Sequence, residues 1–317
     1  MNQKEFKKYQ LESTIALFKI TARCNDSCQF CIEREYTEKG IADMSFRDIR
    51  NNFEYLRDNF NLDYLIITGG EPTLHSDLVK IVDYFYKQKI QFKLITNLLN
   101  FSQGNFLRKI LSYFPSNKDN RIIGSINDLP INKLAVKRIT GLKKLLGYKI
   151  PFSLITVIYK RNLESLPDLI IYLNKLFKKY HYEQPINLEF RLIYLGDTLK
   201  SLLKTSLPTD FQKIKQFSQQ AIETANSLGI TLTLWNFPFC YLEQIPQYRD
   251  KSIKERRQRK LLKVSQDFQL EKIQVRDFEE CFDKPKTCLD CRYNNDCSGI
   301  EKAYLEKYNF PSLKPFK

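Results

Sequence analysis

Between Ile15 and Trp235, short β-rich runs alternate with longer stretches of helical periodicity, and this alternation limits the fold more than any other feature of the chain. Strands are expected at Ile15–Thr21, Tyr64–Thr68, Gln91–Thr96, Arg121–Ile126, Phe152–Tyr159 and Leu188–Tyr194, with Ile230–Trp235 as a last one. Helices are expected from about Ser45 to Asn59, at Asp77–Lys87, near Phe106–Phe114, and at Ile131–Leu146, Leu166–Lys179 and Asp210–Leu228. In Ser45-Phe-Arg-Asp48, a serine can accept from exposed amides and an acid sits in the first turn, which marks a helix start. Strand, helix and strand in turn imply parallel strands joined by right-handed crossovers. Six or so such units fit a barrel or a partial barrel, and they fit an open doubly wound sheet equally well.

The periodicity fades after Trp235. The chain is therefore divided into residues 1–235 and a smaller cysteine-bearing region, 236–317, which also carries a short helical pattern at Ile300–Tyr308. With 317 residues, 43% of them hydrophobic, there is material for a sizeable core. No apolar run reaches the roughly 18 residues of a membrane span. The polar start MNQKEFKKYQ does not read as a signal peptide, so a cytoplasmic protein with no membrane partner is expected. The net charge of +15 suits a polyanion partner or a lysine-rich solvated surface. Because the basic residues are dispersed, apart from Lys254–Lys260, the solvated surface is the favoured reading.

Polar and special residues gather just after the expected strands, where α/β barrels and open α/β sheets both place their sites. Cys24, Cys28 and Cys31 follow the first strand as C-x-x-x-C-x-x-C, in a polar stretch with Arg23, Asn25 and Asp26. Three close thiolates without a fourth suit an iron–sulfur cluster with one iron left open, since four cysteines normally close the set. The spacing is not the usual C-x-x-C pair of a zinc site. Gly69-Gly70-Glu71-Pro72 follows the second strand, and adjacent glycines permit close backbone approach. Thr96-Asn97 ends the third strand, and Ser125, Asn127 and Asp128 end the fourth. Thr156 and Arg191 lie within the fifth and sixth strands, and Arg191 is a candidate partner for a carboxylate. His75 reads as a helix-start residue.

The two motifs, in this order at successive strand ends, resemble those of the radical S-adenosylmethionine (radical SAM) enzymes, over roughly residues 12–235. The resemblance implies a partial (β/α)6 TIM-like barrel. It implies that Cys24, Cys28 and Cys31 bind a 4Fe–4S cluster whose open iron takes the amino and carboxylate groups of S-adenosyl-L-methionine. By the same resemblance, Phe30 lies near the adenine. Gly69, Gly70 and Glu71 hold the methionine amino group, and Asn97, Ser125 and Asn127 face the methionine or ribose. The implied chemistry is reductive cleavage to a 5′-deoxyadenosyl radical that abstracts a hydrogen atom from substrate; an electron donor such as flavodoxin or ferredoxin is then required.

The remaining cysteines are Cys240, Cys281, Cys288, Cys291 and Cys297. Cys288-x-x-Cys291-x5-Cys297 is tight enough to clamp one metal centre, and a C-x-x-C pair by itself also suits zinc. The arrangement is similar to the twitch extension, the shortened form of the SPASM domain, which implies one auxiliary 4Fe–4S cluster. Cys240, Cys288, Cys291 and Cys297 are the favoured ligands, with Cys281 as the alternative. Ser298-Gly299-Ile300 stands where a C-x-x-x-C would continue a full SPASM domain, so a second auxiliary cluster is not expected.

The resemblance points to oxidation or cross-linking of a peptide or protein side chain, although no N-terminal domain of the kind that binds leader peptides is apparent. A dehydrogenase or epimerase of a small metabolite shares the same extension. An RNA-modifying enzyme has only the basic charge in its favour, so nucleic acid is the least favoured partner.

Overall fold

The computed structural model describes residues 13–31, 34–38, 40–115, 120–184, 187–192, 211–241, 259–265, 274–276, 282–302, 305 and 315–316. Its elements run β1 Ser13–Thr21, α1 Arg34–Glu38, α2 Phe46–Asn59, β2 Leu62–Gly69, α3 Leu78–Lys87, β3 Gln91–Thr96, α4 Gly104–Ile110, β4 Arg121–Ser125, α5 Lys133–Gly147 and β5 Phe152–Ile158. They continue with α6 Leu166–Lys179, β6 Asn187–Leu192, α7 Phe211–Ser227, β7 Thr231–Trp235, β8 Arg259–Val264, β9 Gln274–Arg276, β10 Phe282–Asp283 and β11 Ile300–Glu301. No helix among the described residues is long and apolar enough to cross a membrane.

The strand order is β7-β6-β5-β4-β3-β2-β1-β8-β9. Every neighbouring pair is parallel except β8 with β9. From β1 to β7 each strand is laid beside its predecessor in one direction. A doubly wound sheet would reverse direction at its centre. Unreversed right-handed crossovers keep the helices on one face, which is the construction of a barrel. This is the partial barrel that the motifs imply, but with eight parallel strands rather than six. The extra strand β8 pairs with β1 through Leu261–Ile15 and Lys263–Leu17. Its sequence, RKLLKV, follows a basic run and is too short and too charged to stand out as a strand. Ile300 and Glu301 also depart from expectation: they pair with Asp283 and Phe282 as β11, and most of the rest of the expected helix lies outside the described residues.

Alternation sorts each strand into two faces. On β1, Thr14, Ala16, Phe18 and Ile20 are buried beneath the helices. There Phe18, Phe53 of α2 and Phe85 of α3 pack edge to face at centroid separations of 5.5 and 5.3 Å. Ser45 caps α2 as expected, accepting from the Asp48 amide at 3.1 Å. Asn132 caps α5 the same way through Ala135.

Leu98, just after β3, has a φ of +64° although it is not glycine. It is fully buried and wedged between two glycines. A Cβ on Gly124 would stand 2.7 Å from a Leu98 methyl, and one on Gly141 would stand 2.1 Å from the Leu98 carbonyl oxygen. Gly141→Ala therefore sets two effects against each other. Helix propensity favours alanine by about 1 kcal/mol, whereas overpacking costs about 1–3 kcal/mol. The obstacle is a backbone carbonyl in a turn already in the left-handed region, so it yields little. A net loss of about 1–2 kcal/mol in urea denaturation is expected, and a midpoint at or above wild type would contradict the wedge.

Candidate active site at the strand ends

The cysteine loop begins where β1 stops, and the Gly69–Glu71 turn is bonded directly to it. Gly70 N–H donates to the Thr21 carbonyl and Glu71 N–H to the Arg23 carbonyl, both at 2.8 Å. The approach is so close that only glycine fits. A Cβ on Gly69 would lie 2.2 Å from Thr21 O, and one on Gly70 would lie 2.3 Å from Arg23 O. Gly69 also has a φ of +149°. Arg23 pairs with Asp43 and donates to the Leu74 carbonyl at 2.7 Å, which holds the far side of the same crossing. Burial raises the Asp43 pKa, but hydrogen bonds from Arg23 and Thr21 outweigh it and leave the carboxyl below its usual range.

Glu71 is almost wholly buried. Its Oε1 accepts from the Thr73 amide (3.1 Å), the Thr73 hydroxyl (2.6 Å) and the Thr96 hydroxyl (2.8 Å). Its Oε2 accepts from the Asn97 amide at 2.7 Å. Burial pushes its pKa up, and these donors pull against that rise. The carboxylate thus brackets the ends of β2 and β3 together. Asn97 carries the network on, donating to Asn25 Oδ1 at 2.8 Å and reaching Cys24 Sγ at 3.9 Å. Asn25 in turn donates to Asn100, and Asn100 donates to Thr73.

Behind the loop, Asp26 forms a buried ion pair with Arg138 of α5, whose Nε also donates to the Asn97 carbonyl at 3.2 Å. Arg138 lies beside the apolar stripe Ala135, Ile139 and Leu142, and sequence reasoning passed over it. A charged residue next to the inner stripe of an amphipathic helix was the available signal. Arg34 caps the loop by donating to the Cys28 carbonyl at 2.9 Å.

The other expected positions divide. Phe30 packs against Tyr159 at 4.9 Å, and the Tyr159 hydroxyl donates to Asp128 at 2.6 Å. Tyr159, a second residue the sequence did not single out, has its pKa raised by burial and then by Asp128. Ser125 closes β4, half-buried. Asn127 accepts from the Val157 amide at 2.8 Å and is bonded through its carbonyl to Asn162, which ties β4 to β5. Thr156 is fully buried and donates to the Ile126 carbonyl, so it points away from the open face. Arg191 lies on the open face, paired with Glu189. His75 bonds the Met44 carbonyl and the Asp77 amide, as befits a residue at the start of a helix.

No disulfide links the seven described cysteines. Within the first group, burial raises Cys24 to about 11, with lesser effects from Glu71, Asp26 and Cys31. Cys28 is raised further, by burial first and then by Asp26. In the second group, burial and then Cys297, Cys288 and Cys291 push Cys240 up to about 12. Cys288 is raised by burial and by Cys297 and Cys291. Phe239, next to Cys240, packs edge to face on Tyr293 at 5.8 Å, which brings this distant point of the chain beside the C-terminal cysteine run; Cys281 lies outside the described residues. Gly299 N–H donates to Cys297 Sγ at 3.4 Å.

The thiols of Cys24, Cys28 and Cys31 are donors of the kind an iron–sulfur cluster takes. Burial disfavours bare thiolates, whereas a coordinated thiol gives up its proton outright. Among the described residues no three His, Cys, Asp or Glu side chains converge tightly enough for a single metal ion. A 4Fe–4S cluster accepts a wider set, because each thiolate takes a different iron.

Residues 18–173 match the family model described as the Radical SAM superfamily. The chain belongs to that superfamily. It is 30% identical over 174 residues to an uncharacterized protein of Methanocaldococcus jannaschii, covering 50% of this chain and 57% of that one. It is 32% identical over 78 residues to an S-adenosylmethionine-dependent nucleotide dehydratase of Selenomonas ruminantium, covering 25% and 27%. The chain thus spans little more than half of the first relative and about a quarter of the second. Among solved structures, Streptococcus suis SuiB bound to S-adenosylmethionine superposes with a TM-score of 0.63 at 14% identity, over 99% of this chain and 79% of that one. SuiB bound to its precursor peptide SuiA gives 0.55 at 15% identity, over 73% and 51%. At these identities the likeness is one of fold.

The Glu71 bracket makes a specific prediction. In Glu71→Gln one carboxylate oxygen becomes an NH2 group that must face either the Thr73 or the Asn97 backbone N–H. One buried donor is then left opposite another, at a cost of about 1–3 kcal/mol. Chemical denaturation should show that loss, and wild-type stability would contradict the bracket.

Proposed function

We propose that this chain reductively cleaves S-adenosyl-L-methionine and abstracts a hydrogen atom from a peptide or protein side chain, whose oxidation or cross-linking an auxiliary 4Fe–4S cluster assists. The observation that carries the proposal is the clamp between the Cys24–Cys31 loop and the Gly69–Glu71 turn. It brings three thiols and a glycine turn to one point, at the C-terminal ends of parallel strands.

In this reading Cys24, Cys28 and Cys31 hold the first cluster, and Cys240, Cys288, Cys291 and Cys297 hold the auxiliary one. When bound, the first cluster supplies the electron that breaks the sulfonium S–C5′ bond, and the cofactor carries the hard chemistry. The chain's own residues position and shield. The Glu71 carboxylate is already engaged by Thr73, Thr96 and Asn97, so the Gly69–Glu71 turn offers its backbone to the methionine amino group. Ser125 and Asn127 stand at the end of β4 for the carboxylate or ribose. Phe30, packed at a tilt against Tyr159, shields the adenine from water. Holding the methionine and adenine ends on these residues would fix the sulfonium in place, so that positioning replaces diffusion. The division at residue 235 follows this chemistry, although β8 returns to the barrel sheet.

A peptide substrate is supported by the shared fold with SuiB, whose structure holds a precursor peptide. A small metabolite is the second reading, supported by the likeness to a nucleotide dehydratase. Anaerobic reconstitution should give about eight irons per chain, two clusters of four. The Cys24/Cys28/Cys31→Ala variant should fall to about four irons and make no 5′-deoxyadenosine. Zinc at the C-terminal cysteines would overturn the auxiliary cluster, and iron content unchanged in the triple variant would overturn the first site.

A further inference from the structure

Arg191, Glu189 and Trp235 form a cluster that the radical chemistry does not use. By register Glu189 pairs with Ile155, and Ile155 with Ser125, so all three share one layer of the open face. Two strand spacings of about 4.8 Å put Glu189 roughly 10 Å from Ser125. Arg191 lies one layer nearer the strand ends, directly opposite Trp235 of β7. Its guanidinium lies 4.5 Å above the indole ring. Glu189 Oε2 accepts from Arg191 Nε at 3.3 Å and Nη2 at 2.7 Å.

Indole and carboxylate together fix the plane and rotation of the fork. A guanidinium has five N–H donors, and Glu189 uses one side of it. The end-on edge, with the Nη1 hydrogens and the second Nη2 hydrogen, finds no acceptor among the described residues, and the side chain keeps 30% of its exposure. That edge matches two oxygens of a carboxylate or phosphate. Trp235 also leads within five residues to Cys240, so the cluster stands on the path from the barrel to the C-terminal cysteines.

We propose that Arg191, seated on Trp235 and braced by Glu189, anchors an oxyanion of the substrate, either a carboxylate or a phosphate. The inference deepens the reading of this site as an active site and rests on it for the word substrate; binding itself is tested without turnover. Trp235 is the sole tryptophan of the chain, so its fluorescence reports on the cluster directly. The cluster-loaded chain is titrated with tripolyphosphate, glutarate and the neutral glutaramide. Saturable change with at least one oxyanion and none with glutaramide is expected, and which of the two binds identifies the source. Arg191→Gln should weaken binding by about tenfold or more, and Arg191→Lys, which keeps the charge and loses the fork, by about fivefold. Circular dichroism checks each variant, and the lysine variant is decisive where the glutamine variant does not fold.

If neither oxyanion perturbs Trp235, or if a folded Arg191 variant binds as wild type does, the anchor is wrong. Oxyanion binding lost in the variants while wild type makes no 5′-deoxyadenosine keeps the anchor and removes the radical reading. 5′-Deoxyadenosine formation with an unresponsive Trp235 does the reverse.

Discussion

The site depends on one backbone crossing. The Gly69-Gly70-Glu71 turn lies on the Thr21–Arg23 segment at a distance that admits no Cβ, with two amide-to-carbonyl bonds holding it there. Those two segments end β1 and β2, which are neighbours in the sheet. The parallel register therefore delivers the cysteine loop and the glycine turn to the same place, and the crossing locks them. The glycine pair is usually explained by close approach to a ligand. In this chain its first physical duty is close approach to the protein's own backbone.

Around the crossing the protein buries several polar and charged groups. Glu71 and the Asp26–Arg138 pair sit in low-dielectric surroundings, where charges are costly unless well partnered. Each is well partnered. Glu71 takes four donors from three residues, and Arg138 serves both Asp26 and the Asn97 carbonyl. What this polarity supplies is position. A nine-residue polar loop cannot pack itself, and Asn25, Asn97, Asn100 and Thr73 stand in for the missing core by satisfying one another. The strain at Leu98, left-handed between two glycines, belongs to the same arrangement, since it turns the chain after β3 so that Asn97 can face both Glu71 and Asn25.

Much of the framework was legible in the sequence because strand alternation and helical periodicity are local. β3 and α6 fall at the residues expected, and the Ser45 cap forms as its chemistry requires. β8 escaped notice because six residues with three charges carry almost no periodic signal; it becomes a strand only by finding the free edge of β1. Thr156 and Arg191 were candidates of similar standing in the sequence. Alternation relative to the sheet separates them, burying one against the Ile126 carbonyl and leaving the other on the open face.

The sequence alone determined the chemistry that is available. Three thiols at fixed spacing, a Gly-Gly-Glu turn and a second cysteine run are covalent facts, and their spacing survives any fold that places them at strand ends. Tertiary structure decided which groups act together. Phe239, next to Cys240, packs on Tyr293 within the C-terminal cysteine run, Glu71 brackets the ends of β2 and β3, and Arg138 and Trp235 reach Asp26 and Arg191 from distant segments. The physical reason is that hydrogen bonds, ion pairs and ring contacts act over a few ångströms in space, whereas the pattern of a sequence reports only neighbours along the chain.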